Sequence, residues 1–381
     1  MEPNRMDGTN RLDFLDFLRA SGAVLVLLHH LYLFWYRGGA ASVFPFLISE
    51  KEVTGLELIN FYPIMQRIHL DIGKLGVSLF FLITGFLCNN SLRKQSPGEF
   101  FINKIIRIYP VYIVGFSMTY LAIFLYLRGT GQEFPYDFKN WLIQVSLLRE
   151  WFWMPSIDGL SWTLEQQMKF YLLIMFLAIL KKQQNAKMLI LLGIILAVTS
   201  QLISVNMDRM YQANMTFWWR FGSGVLMASV CLIYMLIGAA IYQHQNGCWT
   251  TVKLMIVLLV LYCCFVFAAV SFTTDATELV LNYSIGLFIF LSCYILSKNG
   301  GTTVFRWRIV SFLSKISYPL YVVHGIIGFI IMTWLYNLGW NSYLCFSTAV
   351  IVVVFLATIL HALVEKPAGK LARRVIMCFS R

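Results

Sequence analysis

The stretch LDFLRASGAVLVLLHHLYLFWY, residues 15–36, sets Arg19 and His30 in a run that is otherwise largely apolar. A charge at the bilayer centre costs about 2.5–3.5 kcal/mol on insertion scales, so ionisable groups kept inside such a helix default to a functional reading. Arg19 and His30 are eleven residues apart. In a helix that is about 20° from eclipse after three turns, so they share one stripe, about 16 Å apart along the axis. His29 points about 100° away. An imidazole, with an ordinary pKa of about 6.5, can take a proton from a hydroxyl. A guanidinium can hold phosphate oxygens in its fork. Asp16, three residues before Arg19, reads as that residue's ion-pair partner at the helix start.

Two further groups share helical faces. Lys104 and Arg107 stand at i,i+3 and suit a diphosphate; their plainer role is anchoring at a membrane surface. Ser317, Tyr321 and His324 stand at i, i+4 and i+7, one face of a later helix that could line a channel, with helix–helix hydrogen bonding as the plainer role. On that helix His324 is expected nearer the cytoplasmic end than His30, which favours binding or proton handling over the work of the base. Glu365 reads as the partner of a neighbouring base.

These side chains need helices to hold them. Of 381 residues, 59% are hydrophobic and 13% charged, against about 25% charged in soluble domains. Apolar runs recur along the whole chain and predict spans near residues 14–34, 74–91, 107–127, 164–181, 187–205, 220–243, 252–272, 278–297, 317–337 and 343–364. The expectation is an all-α integral membrane protein with about ten transmembrane helices, forming one domain over residues 1–381 with no fused soluble domain. Basic segments such as RKQSPGEFFINKIIR, KKQQNAK and KPAGKLARR alternate with less basic ones, so both termini are expected in the cytoplasm. Two long external segments, about 35–73 and 128–163, are candidates for lids or binding loops. The net charge of +12 is spread over short loops rather than one face, which argues against nucleic acid. The eight cysteines lie mainly in apolar runs and show no ligand spacing, so no metal is expected.

The run LDFLRASGAVLVLLHH resembles the opening motif of the membrane-bound acyltransferase-3 family, an arginine followed after ten residues by a histidine, matched here by Arg19 and His30. GVSLFFLITGFL (76–87), FFINKIIRIYPVY (100–112), LSWTLEQQMKFYLL (160–173), LSKISYPLYVVHG (313–325) and VEKP (364–367) resemble later family segments in the same order. Ser78 stands where an acidic residue is common, and Thr84 replaces a serine. The resemblance implies transfer of an acyl group, usually acetyl, from cytoplasmic acetyl-CoA or another acyl-CoA to a hydroxyl of a glycan or lipid-linked sugar at the external face. It also implies a multi-pass protein of the bacterial inner membrane. His30 would then be the base, and Arg19, Lys104, Arg107, Ser317, Tyr321 and His324 the donor site. A proton-coupled secondary transporter would also use ionisable groups in its helices, although no repeat is visible. An impaired protein that binds acyl-CoA without turnover is the third reading.

The third reading comes from one departure. In WTLEQQMKFY the family's glutamate position is held by Gln167, while Glu165 lies two residues away and about 200° around the helix. Glutamine keeps the shape and hydrogen bonds of glutamate but not its charge. Gln167 is expected at the depth of His30, where a carboxylate would support the histidine. Either the amide serves in its own right, or the chain is degenerate, or the glutamate was replaced to trap a bound state. On this reading Gln167→Glu raises turnover by about 10².

Overall fold

The computed structural model describes residues 13–34, 44, 62–298 and 303–379. Among the described residues fourteen α-helices run in order: α1 (Asp13–Leu28), α2 (Tyr62–Arg67), α3 (Ile72–Leu92), α4 (Pro97–Gly129), α5 (Phe138–Val145), α6 (Ser161–Ile179), α7 (Ala186–Gln212), α8 (Thr216–Gln245), α9 (Thr251–Phe272), α10 (Ala276–Lys298), α11 (Arg308–Val323), α12 (Gly325–Asn337), α13 (Ser342–Leu360) and α14 (Lys366–Phe379). There is no strand among the described residues. The molecule is an all-α membrane protein. Among the described residues eight stretches are long and apolar enough to cross a bilayer, and α11 with α12 makes a ninth that is bent by 72°.

The remaining expected span, 164–181, forms as α6, a helix of 19 residues, but α6 is not apolar enough to stand among the spans found in the described residues. Its sequence explains this. Glu165, Gln166, Gln167 and Lys169 fall in its first half, and Glu165 and Gln166 turn inward and are buried. Of the two long segments expected outside the membrane, 35–73 lies largely outside the described residues. The other, 128–163, carries α5 and a 3-10 turn at Arg149–Phe152.

Helix starts follow local chemistry. The Asp71 carboxylate accepts from the backbone of Gly73 (2.8 Å) and Lys74 (3.0 Å) and opens α3. Ser96 and Glu99 form a capping box, with Pro97 in the first turn, to open α4. Asp158 accepts from the backbone of Leu160 and Ser161, each at 3.0 Å, just before α6.

Helix α1 sits between two apolar cores. Phe14, Leu15, Leu18 and Val26 pack with α3 and α6 to α10, whereas Ala23, Leu27 and Leu31 pack with α4, α11, α12 and α13. α3 crosses α8 at close range because a Cβ at Gly85 would strike the Met235 carbonyl, and one at Gly238 the Leu82 carbonyl. Small residues permit this backbone approach in a membrane bundle. The seam between the two cores, beside α1, holds the polar residues.

Candidate active site

Two cavities open in that seam. The first, about 410 Å³, lies between α1, α3, α4, α6 and α11. It is near the start of α1 and α11 and the end of α3, so these elements bring their termini to one end of the bundle. Arg19, Lys104 and Arg107 line it, with Gln167, Tyr171, Ser317, Tyr321 and Glu365. Six of the eight residues expected at the donor or catalytic site, Arg19, Lys104, Arg107, Gln167, Ser317 and Tyr321, therefore meet here.

The charges in this cavity are unbalanced. Among the described residues three cations face it, and Glu365 is the one carboxylate in its lining. Glu365 is also engaged by His361, whose Nδ1 lies 2.6 Å from its Oε2, as expected for a carboxylate with a neighbouring base. Arg19 pairs with Asp16 at 3.6 Å, and Asp16 in turn accepts from Ser314 Oγ at 2.7 Å. The Lys104 ammonium lies 4.8 Å from the Tyr171 ring centre and 5.5 Å from that of Phe100. Neither Lys104 nor Arg107 forms an ion pair with a carboxylate among the described residues. Such a cavity attracts an anion with several oxygens, because Arg and Lys donors then gain charge-assisted bonds.

The second cavity, about 320 Å³, lies toward the other ends of α1 and α3 and is walled also by α6, α8, α9, α10 and α11. His29, His30, Asp71 and Lys74 make its polar part, and Trp162, Met227, Val230, Phe272 and Leu279 are among its apolar wall. His29 Nδ1 stands 3.2 Å from Asp71 Oδ1, and Lys74 Nζ is 2.7 Å from Glu278. The His29 ring also lies flat against α3: a Cβ on Gly73 would come within 2.5 Å of its Cγ. His69, Asp275 and Glu278 bring ligand-type atoms within 4.8 Å of one another nearby, but Lys74 already neutralises Glu278.

Among the described residues only Val77 and Tyr321 line both cavities. The Tyr321 hydroxyl is 2.6 Å from Thr163 Oγ1 and donates to the Leu160 carbonyl at 3.1 Å. Phe80 meets its ring edge-on at 6.1 Å. Tyr321 is therefore the partition between the cationic cavity and the histidine cavity.

Two expectations need correction. Sequence spacing puts His324 with Ser317 and Tyr321 on one face of an unbroken helix, and nearer one membrane surface than His30. The helix instead ends at His324, between Pro319 and Gly325, and α12 leaves at 72°. Its ring turns away from the first cavity and comes to 3.0 Å from His30 Nδ1. The two histidines are thus at one depth. Gln167, expected beside His30, lies in the first cavity and accepts from the Tyr171 hydroxyl at 3.3 Å. Glu165 cannot stand in for it: it is 2% exposed and bound by Arg149 through two oxygens, at 3.1 and 2.7 Å.

Asp71, Thr163 and Tyr318 were not singled out by spacing. Asp71 reads in sequence as a helix cap, which it also is, and nothing in HLDIGK announces that a histidine from α1 will lie against it. Tyr318 donates to the Ile108 carbonyl at 2.8 Å and ties α11 to α4 across the first cavity.

The order of these residues along the chain is matched by a family model described as an acyltransferase domain, over residues 12–363. The chain belongs to that acyltransferase-3 family. Nodulation protein 10 of Rhizobium leguminosarum bv. viciae is 23% identical over 325 residues, covering 79% of this chain and 83% of that protein. No solved structure matches.

Proposed function

We propose that the protein transfers an acyl group, acetyl foremost, from acyl-CoA in the first cavity to a hydroxyl of a glycan or lipid-linked sugar in the second. The observation that carries this reading is the pair of cavities, one cationic and one holding a histidine, that abut at Tyr321 and Val77. Arg19, Lys104 and Arg107 hold the diphosphate. The flexible pantetheine arm then runs along α1 toward His30, about 16 Å up the same stripe. His30 takes the proton of the acceptor hydroxyl, whose oxygen attacks the thioester carbon; the carbon–sulfur bond breaks, and the proton passes to the departing thiolate. No metal enters this scheme. The basic segments beside the first cavity support a cytoplasmic setting for it and for both termini, in a multi-pass protein of an inner membrane.

Purified protein in lipid nanodiscs, supplied with acetyl-CoA labelled in the acetyl group, should release free coenzyme A and label a sugar acceptor. Intact donor moved across a vesicle membrane, with no coenzyme A released, would instead identify a carrier.

Arg107 is exposed at the cavity mouth. Arg107→Ala should weaken donor binding about tenfold, one charge-assisted bond, and less at high salt. Arg209, exposed near the far end of α7, is the control: Arg209→Ala should leave binding unchanged. Equal affinities in the two variants would remove the phosphate site.

The position of Gln167 also changes what Gln167→Glu should do. A carboxylate there would face Arg19, Lys104 and Arg107, adding a second negative charge to the donor cavity. Donor KM should then change by more than kcat. A rise in kcat by about 10² at constant KM would restore the idea that this position serves His30.

A further inference from the structure

Helix α11 stops inside the bundle, and a helix end leaves its last carbonyls without partners on the next turn. His324, 1% exposed, supplies one. Its Nδ1 lies 3.0 Å from the Leu320 carbonyl and 3.0 Å from that of Tyr321. A carbonyl oxygen only accepts, so Nδ1 must carry the hydrogen, and the lone pair of neutral His324 is on Nε2. That nitrogen faces His30 Nδ1 at 3.0 Å. Two lone pairs cannot share a hydrogen bond, so His30 Nδ1 must be the donor. A second, independent contact requires the same: His30 Nδ1 is 3.0 Å from the Val26 carbonyl, again an acceptor only. Both constraints put the hydrogen of His30 on Nδ1 and its lone pair on Nε2, the form that can take a proton.

We propose that His324 is a positioning residue, which holds His30 in its Nδ1–H form and accepts from that N–H when Nε2 takes the acceptor's proton. The O–H bond of the acceptor breaks, an Nε2–H bond forms, and the positive charge on His30 is shared through the Nδ1–H bond with the His324 lone pair. His324 itself stays neutral throughout. It never touches substrate, and its role uses the break in the helix: the Leu320 carbonyl also accepts from the His324 backbone N–H at 3.0 Å, while the Tyr321 carbonyl lies at the helix end, where the ring N–H reaches it. The inference rests on His30 being the base.

Two measurements on the full chain in nanodiscs test it. Nitrogen-15 NMR of ring-labelled histidines, with the His30 signals identified by their loss in His30→Asn, should show Nδ1 protonated and Nε2 bare in the parent protein. His30 protonated at Nε2 overturns the proposal without any variant having to fold. In kinetics, His324→Leu should lower kcat by about 10², the low end of a base's contribution, with donor KM unchanged. His324→Gln, whose side-chain oxygen can accept from His30 Nδ1–H, should recover most of that loss. A leucine variant with the parent's kcat, or a glutamine variant no better than leucine, overturns it. Failure of the base assignment reads differently: His30→Ala would then keep its turnover while the NMR tautomer stood as described.

Discussion

His30→Ala should leave a folded protein that still binds acyl-CoA but transfers the acyl group 10²- to 10⁴-fold more slowly, about the contribution of a general base. The binding should survive because the cations line the first cavity and His30 the second. The fold should survive because His30 lies at the start of the π-helical turn His29–Phe34, where α1 has already made its core contacts through Phe14 to Leu27. His29→Ala should be milder for the transfer of the proton, since that ring is set against Asp71 rather than His324. Donor affinity by calorimetry and turnover by coenzyme A release separate the two functions. Wild-type turnover in purified His30→Ala would mean that another group takes the proton.

Arg19→Ala acts on the other half of the reaction. A charge-assisted hydrogen bond contributes about 1.5–3 kcal/mol, so its loss should weaken donor binding about 10- to 150-fold. The effect should exceed that at Arg107, because Arg19 is partly buried and less screened by salt. Removal also leaves Asp16, held by Ser314, as a negative charge near the cavity. Arg19→Lys should fall between, since an ammonium keeps the charge but not the planar fork. If Arg19→Ala and the parent bind acetyl-CoA equally at physiological salt, the arginine serves only the fold.

Hydropathy made the spans legible because burial in lipid requires long apolar runs, and the 3.6-residue period correctly put Arg19 on the face of α1 that meets the cavities. What composition does not encode is a local change of backbone period. The π-helical turn at His29–Phe34 and the break at His324 each redirect a histidine. Counting turns along an ideal helix therefore put His324 at a different depth from His30, and Gln167 in the company of the wrong residue. The Pro319 and Gly325 pair flanking the break was visible, yet proline inside a membrane helix is tolerated often enough that it predicts no particular bend. α6 was legible as a helix but not in its role: its polar first half is what lets Thr163 and Gln167 line the first cavity and Trp162 the second.

The shared wall of the two cavities has an electrical consequence. At Val77 and Tyr321 the two cavities share a wall, so less low-dielectric material lies between their openings there than across the full bundle. Field lines concentrate where low-dielectric material is thinnest. A membrane potential, equivalent to about 2.3 kcal/mol per elementary charge per 100 mV across the full thickness, falls disproportionately over that short distance. In the proposed reaction the bond made and the bond broken would both lie beside this shared wall, so the charge moving between oxygen, nitrogen and sulfur would move where the voltage gradient is steep.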